Sequence, residues 1–127
     1  MKYDVIIVGA GPAGIFSALE LSEKTNLKIL VVDRGQDIDK RKCPASRGFE
    51  CVHCEPCAVL SGWGGAGAYS DGKLTLSTEV GGWLNQYLST DELIALVKYV
   101  DGIYLRFGAS EQVYGGDNEE VAEIERQ

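Results

Sequence analysis

Residues 1–35 constrain the fold more than any other part of this chain, because several features fall in register there. Val5-Ile6-Ile7-Val8 is an unbroken run of β-branched apolar residues, the pattern of a parallel strand covered on both faces. A strand is expected over Lys2–Gly9. It runs into Gly9-Ala10-Gly11-Pro12-Ala13-Gly14, a G-x-G-x-x-G. Pro12 suits the first position of a helix, where its missing N–H costs nothing. The spacing predicts a helix over Pro12–Lys24, with Ala13, Phe16 and Leu19 able to share one face. Thr25-Asn26 makes a short turn, and Leu27–Asp33 reads as a second strand around Ile29-Leu30-Val31-Val32. Strand, helix and strand make a βαβ crossover, expected to be right-handed.

The chemistry of a diphosphate needs each of the three glycines for a different reason. Gly9 permits the tight turn, Gly11 lets a pyrophosphate approach the backbone, and Gly14 lets the helix pack close to the strands. The helix start then offers free N–H groups and a positive dipole end. Asp33, at the end of the second strand, can accept hydrogen bonds from ribose hydroxyls. The alternative is a glycine-rich turn that binds nothing. The chain carries a control for it in Gly62-Trp63-Gly64-Gly65-Ala66-Gly67, which matches the same letters. There Tyr69-Ser70-Asp71-Gly72-Lys73 follows, a hairpin signal and not a helix. Dinucleotide binding is therefore expected of residues 1–35 alone. The loop does not separate NAD from FAD, but the Asp33 carboxylate would repel a 2′-phosphate, which disfavours NADP.

Composition narrows the partners. The net charge is −7, and the acidic residues crowd into 111–127, where Arg126 is their one basic neighbour. Such a chain does not attract phosphate backbones, so nucleic acid is not an expected partner. Lys40-Arg41-Lys42 reads as a solvated basic turn. The longest uncharged runs, Val5–Leu19 and Pro56–Ser70, are interrupted by glycines and fall short of the ~20 apolar residues of a membrane span. Asp4 abutting the first run argues against a signal peptide, so a cytoplasmic location is expected.

Cys43, Cys51, Cys54 and Cys57 are spaced C-x7-C-x2-C-x2-C. Thiolates at such spacing can converge on one centre, and three readings stay open: an iron–sulfur cluster, a zinc ion, or free thiols. His53 among them reads as a surface residue. The Gly62–Gly67 segment and Ala68–Leu74 are expected to form a loop and a hairpin whose small residues lie flush against a flat ligand. The sequence assigns no catalytic role to Ser70 and Lys73. Further on, Ser89-Thr90-Asp91-Glu92 is a capping box flanked by Leu88 and Leu93. A helix is expected to run to about Phe107, with Gly108 after it and Leu93, Leu96, Val97, Val100, Tyr104 and Phe107 as a core stripe. A second, acidic helix over 118–126 is expected to start at Asp117.

Four segments carry a family resemblance: Tyr3–Gly14, Arg41-Lys42-Cys43-Pro44, Cys51-Val52-His53-Cys54-Glu55-Pro56-Cys57 and Gly64–Leu74. Through them the chain resembles the N-terminal region of the FAD-dependent oxidoreductases, and most of all the uncharacterised FAD-dependent dehydrogenases of bacteria and archaea. The first segment is common to very many flavoproteins; the last two are far more specific. The resemblance implies FAD, with Gly9, Gly11, Pro12, Ala13 and Gly14 on the pyrophosphate and Asp33 on the adenosine ribose. It further implies Arg34 beside the adenine, Arg41 near the phosphates, and Gly64, Gly65, Ala66 and Gly67 toward the flavin. NAD(P)H is the implied electron donor or acceptor, beside a small-molecule substrate that the sequence does not name. Asp33 departs from the Glu of many flavoproteins, and family members are much longer than 127 residues.

The expected fold is α/β, an incomplete Rossmann-like FAD/NAD(P)-binding βαβ unit over 1–35, a Cys- and Gly-rich loop region over 36–88, and a helical segment over 89–127. Met1 reads as a native start and the C-terminal part of the enzyme as missing. The expected function is that of an FAD-dependent oxidoreductase, the chain holding the ADP part of FAD. Two rivals stand beside it: an NAD-binding dehydrogenase domain, and a cysteine-ligated iron–sulfur or zinc module.

Overall fold

The computed structural model describes residues 1–70 and 72–115. They fall into two compact units, Met1–Lys73 and a second beginning at Leu74.

The first unit begins with the βαβ motif: strand β1 (Val5–Val8), helix α1 (Pro12–Lys24) and strand β2 (Ile29–Val32). The strands pair in parallel, with Val5 opposite Ile29 and Val8 opposite Val32. Backbone bonds continue the pairing at both ends. Asp4 donates its N–H to the Lys28 carbonyl at 2.9 Å and Gly9 donates to the Val32 carbonyl at 2.7 Å. Lys28 returns its N–H to Asp4 Oδ2 at 2.8 Å. These flanking bonds account for Asp4, Gly9 and Lys28, whereas Lys2, Tyr3, Leu27 and Asp33, also expected in the strands, lie outside the pairing.

Helix α1 occupies the residues its sequence predicts, with Pro12 at its start. Its end is closed by Thr25, whose N–H and hydroxyl both donate to the Leu21 carbonyl, at 3.0 and 2.6 Å. An i,i+4 ion pair joins Lys24 to Glu20. Phe16 and Leu19 are half-buried as expected, but Ala13 is exposed. One expectation is corrected here. β1 is not covered on both faces: Val5 and Ile7 are half-buried, whereas Ile6 and Val8 are 60% and 84% exposed. A βαβ crossover places its helix on one face of the sheet, and side chains alternate between faces.

The rest of the first unit is loop and short 3-10 turns at Ile38–Lys40, Ala45–Arg47 and Gly65–Tyr69. The hairpin expected around Ala68–Leu74 is not formed among the described residues. Gly65–Tyr69 winds instead into a 3-10 turn entered through Gly64 at φ +83°. Small residues with little side-chain volume allow that tight winding.

In the second unit, helix α2 (Thr90–Arg106) is capped as its sequence predicts. The Ser89 hydroxyl accepts the Glu92 N–H, and Glu92 Oε2 accepts the Ser89 N–H at 2.8 Å. At the other end Gly108, at φ +93°, donates to Leu105, and Ala109 donates to Tyr104, both at 3.0 Å. This is the Schellman arrangement. The core stripe is corrected: only Leu93 is buried, Val97 and Val100 are half-buried, and Leu96, Tyr104 and Phe107 are exposed. Among the described residues the 3-10 turn Leu84–Gln86 packs against α2, and a turn of that size is too small to cover a helix of 17 residues. The acidic helix expected over 118–126 lies outside the described residues.

Candidate dinucleotide site

The three glycines of the first turn are separated by what a side chain would meet at each. Gly9 stands at φ +104°, a conformation that excludes other residues without strain. A methyl group on Gly14 would lie 1.9 Å from the Gly9 carbonyl oxygen and 3.3 Å from Ile7 Cγ2, so the helix start packs flush on the turn. Gly11 differs: its φ is −77°, and nothing lies within 4 Å of an added Cβ. The space in front of Gly11 is open. Gly11 is also the N-cap of α1 and supplies no side chain to it. The N–H groups of Ala13 and Gly14 there face no capping side chain, the arrangement that receives an anion.

Asp33 follows β2 and holds this turn through its carboxylate. Oδ2 accepts the Ala10 N–H at 2.8 Å and Oδ1 accepts the Gly35 N–H at 2.7 Å. These bonds, with smaller contributions from the Gly62 N–H and the Arg41 charge, hold its pKa below the usual carboxylate value against some desolvation. Two oxygens carry about four acceptor positions, so the carboxylate retains capacity for hydroxyl donors. Beside it opens a cleft of about 420 Å³ lined by Val8, Gly9, Val32, Asp33, Arg34, Leu60 and Ser61. It lies past the carboxyl ends of β1 and β2, where open α/β sheets place their ligands. Arg34 borders it and donates from Nε to Ser61 Oγ at 3.2 Å.

The second glycine cluster folds onto the first. Gly64 donates its N–H to the Ala10 carbonyl at 2.8 Å. A Cβ on Gly65 would lie 3.1 Å from Gly11 Cα, and one on Gly67 3.8 Å from Pro12 Cγ. Gly35 and Gly62 are just as tightly placed: added Cβ atoms would fall 2.2 Å from the Ser61 carbonyl carbon and 2.3 Å from the Gln36 carbonyl oxygen. Arg41, expected near the phosphates, is 6% exposed and points its guanidinium at backbone carbonyls. Ala10, Gly35, Leu60 and Ser61 were not legible as site residues. Gly35, a glycine two places after the strand-ending Asp33, is the one sequence signal that could have marked them.

Of the three readings left open for the cysteines, the described residues support free thiols and not a metal centre. All four are free, Cys51 exposed and the others half-buried. Among the described residues no three His, Cys, Asp or Glu side chains stand together as a metal set. The Cys57 sulfur is engaged otherwise. The backbone N–H groups of Leu60 and Val59 lower its pKa, outweighing desolvation and helped by the Arg41 and Arg34 charges. The donor set therefore does not fit iron–sulfur or zinc. His53 is exposed, at φ +49°. No helix among the described residues is long and apolar enough to cross a membrane.

A βαβ unit with an open glycine at the helix start and a carboxylate at the second strand end defines a Rossmann-like nucleotide-binding domain. The chain matches the model of the pyridine nucleotide-disulphide oxidoreductases over residues 3–114, and it belongs to that family. It is 45% identical over 76 residues to an uncharacterised protein of Clostridium beijerinckii, covering 59% of this chain and 14% of that protein. It is 40% identical over 69 residues to a digeranylgeranylglycerophospholipid reductase of Methanosarcina mazei, covering 48% of this chain and 17% of the reductase. The matches thus span less than a fifth of either relative. No solved structure matches the chain.

Proposed function

We propose that this chain binds the ADP part of FAD and serves an FAD-dependent dehydrogenase. The observation that carries the reading is Gly11: its position is open, its φ is ordinary, and it caps a helix start without capping side chains. Gly9 and Gly14 are glycines for reasons of backbone fit; Gly11 has no such reason within the chain. A diphosphate in front of it supplies one. Ala13 and Gly14 then donate to the phosphates. The Asp33 carboxylate orients the ribose, and Val8, Val32 and Arg34 wall the adenine side of the cleft. When bound, FAD supplies a ring that exchanges hydride or electron pairs with a substrate, while the protein supplies position and electrostatics. Membership of an oxidoreductase family supports this reading.

The test is the flavin content of the intact protein and of Gly11→Val. The wild type is expected to purify with flavin absorbance. Gly11→Val is expected to fold with the same far-UV circular dichroism and to lose the flavin, because its side chain fills the open position. A colourless wild type that binds NADH overturns the choice of FAD. A Gly11→Val protein that keeps its flavin overturns the site.

A further inference from the structure

We propose that Arg41 is a positioning residue for FAD: it presses the second glycine cluster onto the phosphate turn and shapes that turn without touching the cofactor. The inference rests on the FAD reading above and adds a residue that acts from behind the loop.

Arg41 donates from Nε to the Ala58 carbonyl at 2.8 Å and from Nη1 to Trp63 at 2.7 Å. From Nη2 it donates to Val59 at 2.5 Å and to Gly65 at 2.9 Å. Four of the five guanidinium N–H donors are thereby matched to the carbonyls of one loop. The Tyr69 ring lies 4.9 Å from its Cζ, and the Tyr69 hydroxyl donates to the Arg41 carbonyl at 2.8 Å. A Cβ on Gly62 would lie 2.9 Å from Arg41 Cδ, so the loop fits closely around the side chain.

The peptide plane carries this grip to the first turn. In a trans peptide the C=O of one residue and the N–H of the next point in opposite directions. With the Trp63 carbonyl turned to Arg41, the Gly64 N–H is turned away from it, onto the Ala10 carbonyl. The Ala10 N–H is at the same time held by Asp33. Ala10, 2% exposed, is thus fixed from both sides between Gly9 and Gly11 of the phosphate turn. The same geometry holds at the other end of the loop. The Ala58 and Val59 carbonyls face Arg41, and the Val59 and Leu60 N–H groups face the Cys57 sulfur. A guanidinium spans four carbonyls through its planar fork, whereas a lysine ammonium is a point charge with three donors. Charge alone at position 41 therefore does not reproduce the arrangement.

The test measures FAD affinity of the intact apoprotein for wild type, Arg41→Lys and Arg41→Ala. Amide hydrogen exchange at Gly64 and far-UV circular dichroism are recorded on the same samples. Both variants are expected to keep their secondary structure, to exchange the Gly64 amide faster, and to bind FAD about tenfold more weakly or worse. Ethylguanidinium at millimolar concentration is expected to restore affinity to Arg41→Ala, and ethylammonium is not. Unchanged affinity in Arg41→Ala overturns the proposal, as does a loss that ethylguanidinium does not reverse, which marks a merely structural residue. Should Arg41→Ala fail to fold, Tyr69→Phe decides: a several-fold loss of affinity supports the proposal and an unchanged value overturns it. A wild type that takes up no FAD overturns the reading beneath the proposal, a result distinct from equal binding by wild type and variant.

Discussion

Asp33 Oδ2 accepts the backbone N–H of Ala10 at 2.8 Å, across 23 residues of chain. One carboxylate thereby joins the end of β2 to the turn that follows β1. Its other oxygen holds the Gly35 N–H at 2.7 Å, so the residue expected to meet a ribose also fixes the two loops that line the cleft. Asp33 is accordingly a group whose loss is felt in stability as well as in binding.

The sign of its pH dependence follows. The folded pKa of Asp33 lies below the unfolded value, so the stabilisation is fully present above the unfolded value near pH 4. It is lost as the pH falls through the lower, folded value. Asp33→Asn is expected to remove about 1 kcal/mol at neutral pH, the low end for a charge-assisted bond because the carboxylate faces water. Urea unfolding from neutral pH downward checks this. The wild type and variant curves should converge in acid, and a constant gap refutes the assignment.

Substitution separates the glycines by what surrounds them. Gly14→Ala and Gly35→Ala drive a methyl into backbone at 1.9 and 2.2 Å and are each expected to cost about 3 kcal/mol. Gly11→Ala meets nothing and is expected to cost no more than about 1 kcal/mol, the difference between Gly and Ala as an N-cap. Equilibrium unfolding of the three variants tests the order.

Cys57 is expected to be alkylated by iodoacetamide with a pH midpoint below that of an unperturbed thiol. The cause is the pair of N–H groups from Leu60 and Val59 at its sulfur, with the nearby arginine charges. Peptide mapping of the modified protein against pH reads the midpoint directly. A midpoint at or above the usual value contradicts the described loop.

At the ends of α2, Ser89→Ala removes the acceptor of the Glu92 N–H and is expected to cost about 1 kcal/mol. Gly108→Ala places a side chain at φ +93° and is expected to cost a similar amount, about 1 kcal/mol. The carboxyl of Glu92 is held below its usual pKa by the Ser89 N–H and hydroxyl. Helix protection should therefore also weaken as the pH drops below about 4. Hydrogen exchange at the first and last turns of α2 distinguishes the two caps.

Local features were legible because local chemistry decides them. The bounds of α1 follow from Pro12 and Lys24, the cap of α2 from Ser89 and Glu92, and the C-terminal turn from Gly108. The Ala68–Leu74 hairpin and a metal centre at the four cysteines were legible only as patterns, and neither is formed among the described residues. Winding of Gly65–Tyr69 and the N–H groups at Cys57 offered those segments different partners. The Leu93–Phe107 stripe has the right spacing, but periodicity names a face and not what covers it.

The sequence by itself determined the βαβ unit, the glycine turn and the strand-ending carboxylate. Strand patterning, proline at a helix start and glycine at φ > 0 act within a few residues. Only the tertiary structure decided that Arg41 is buried among carbonyls and that Gly64 donates to Ala10. Only there does Asp33 hold Ala10 and Gly35 at once. Apart from the local Asp33–Gly35 bond, those bonds join groups 17 to 54 residues apart, and no local pattern records which distant carbonyl a buried donor will find.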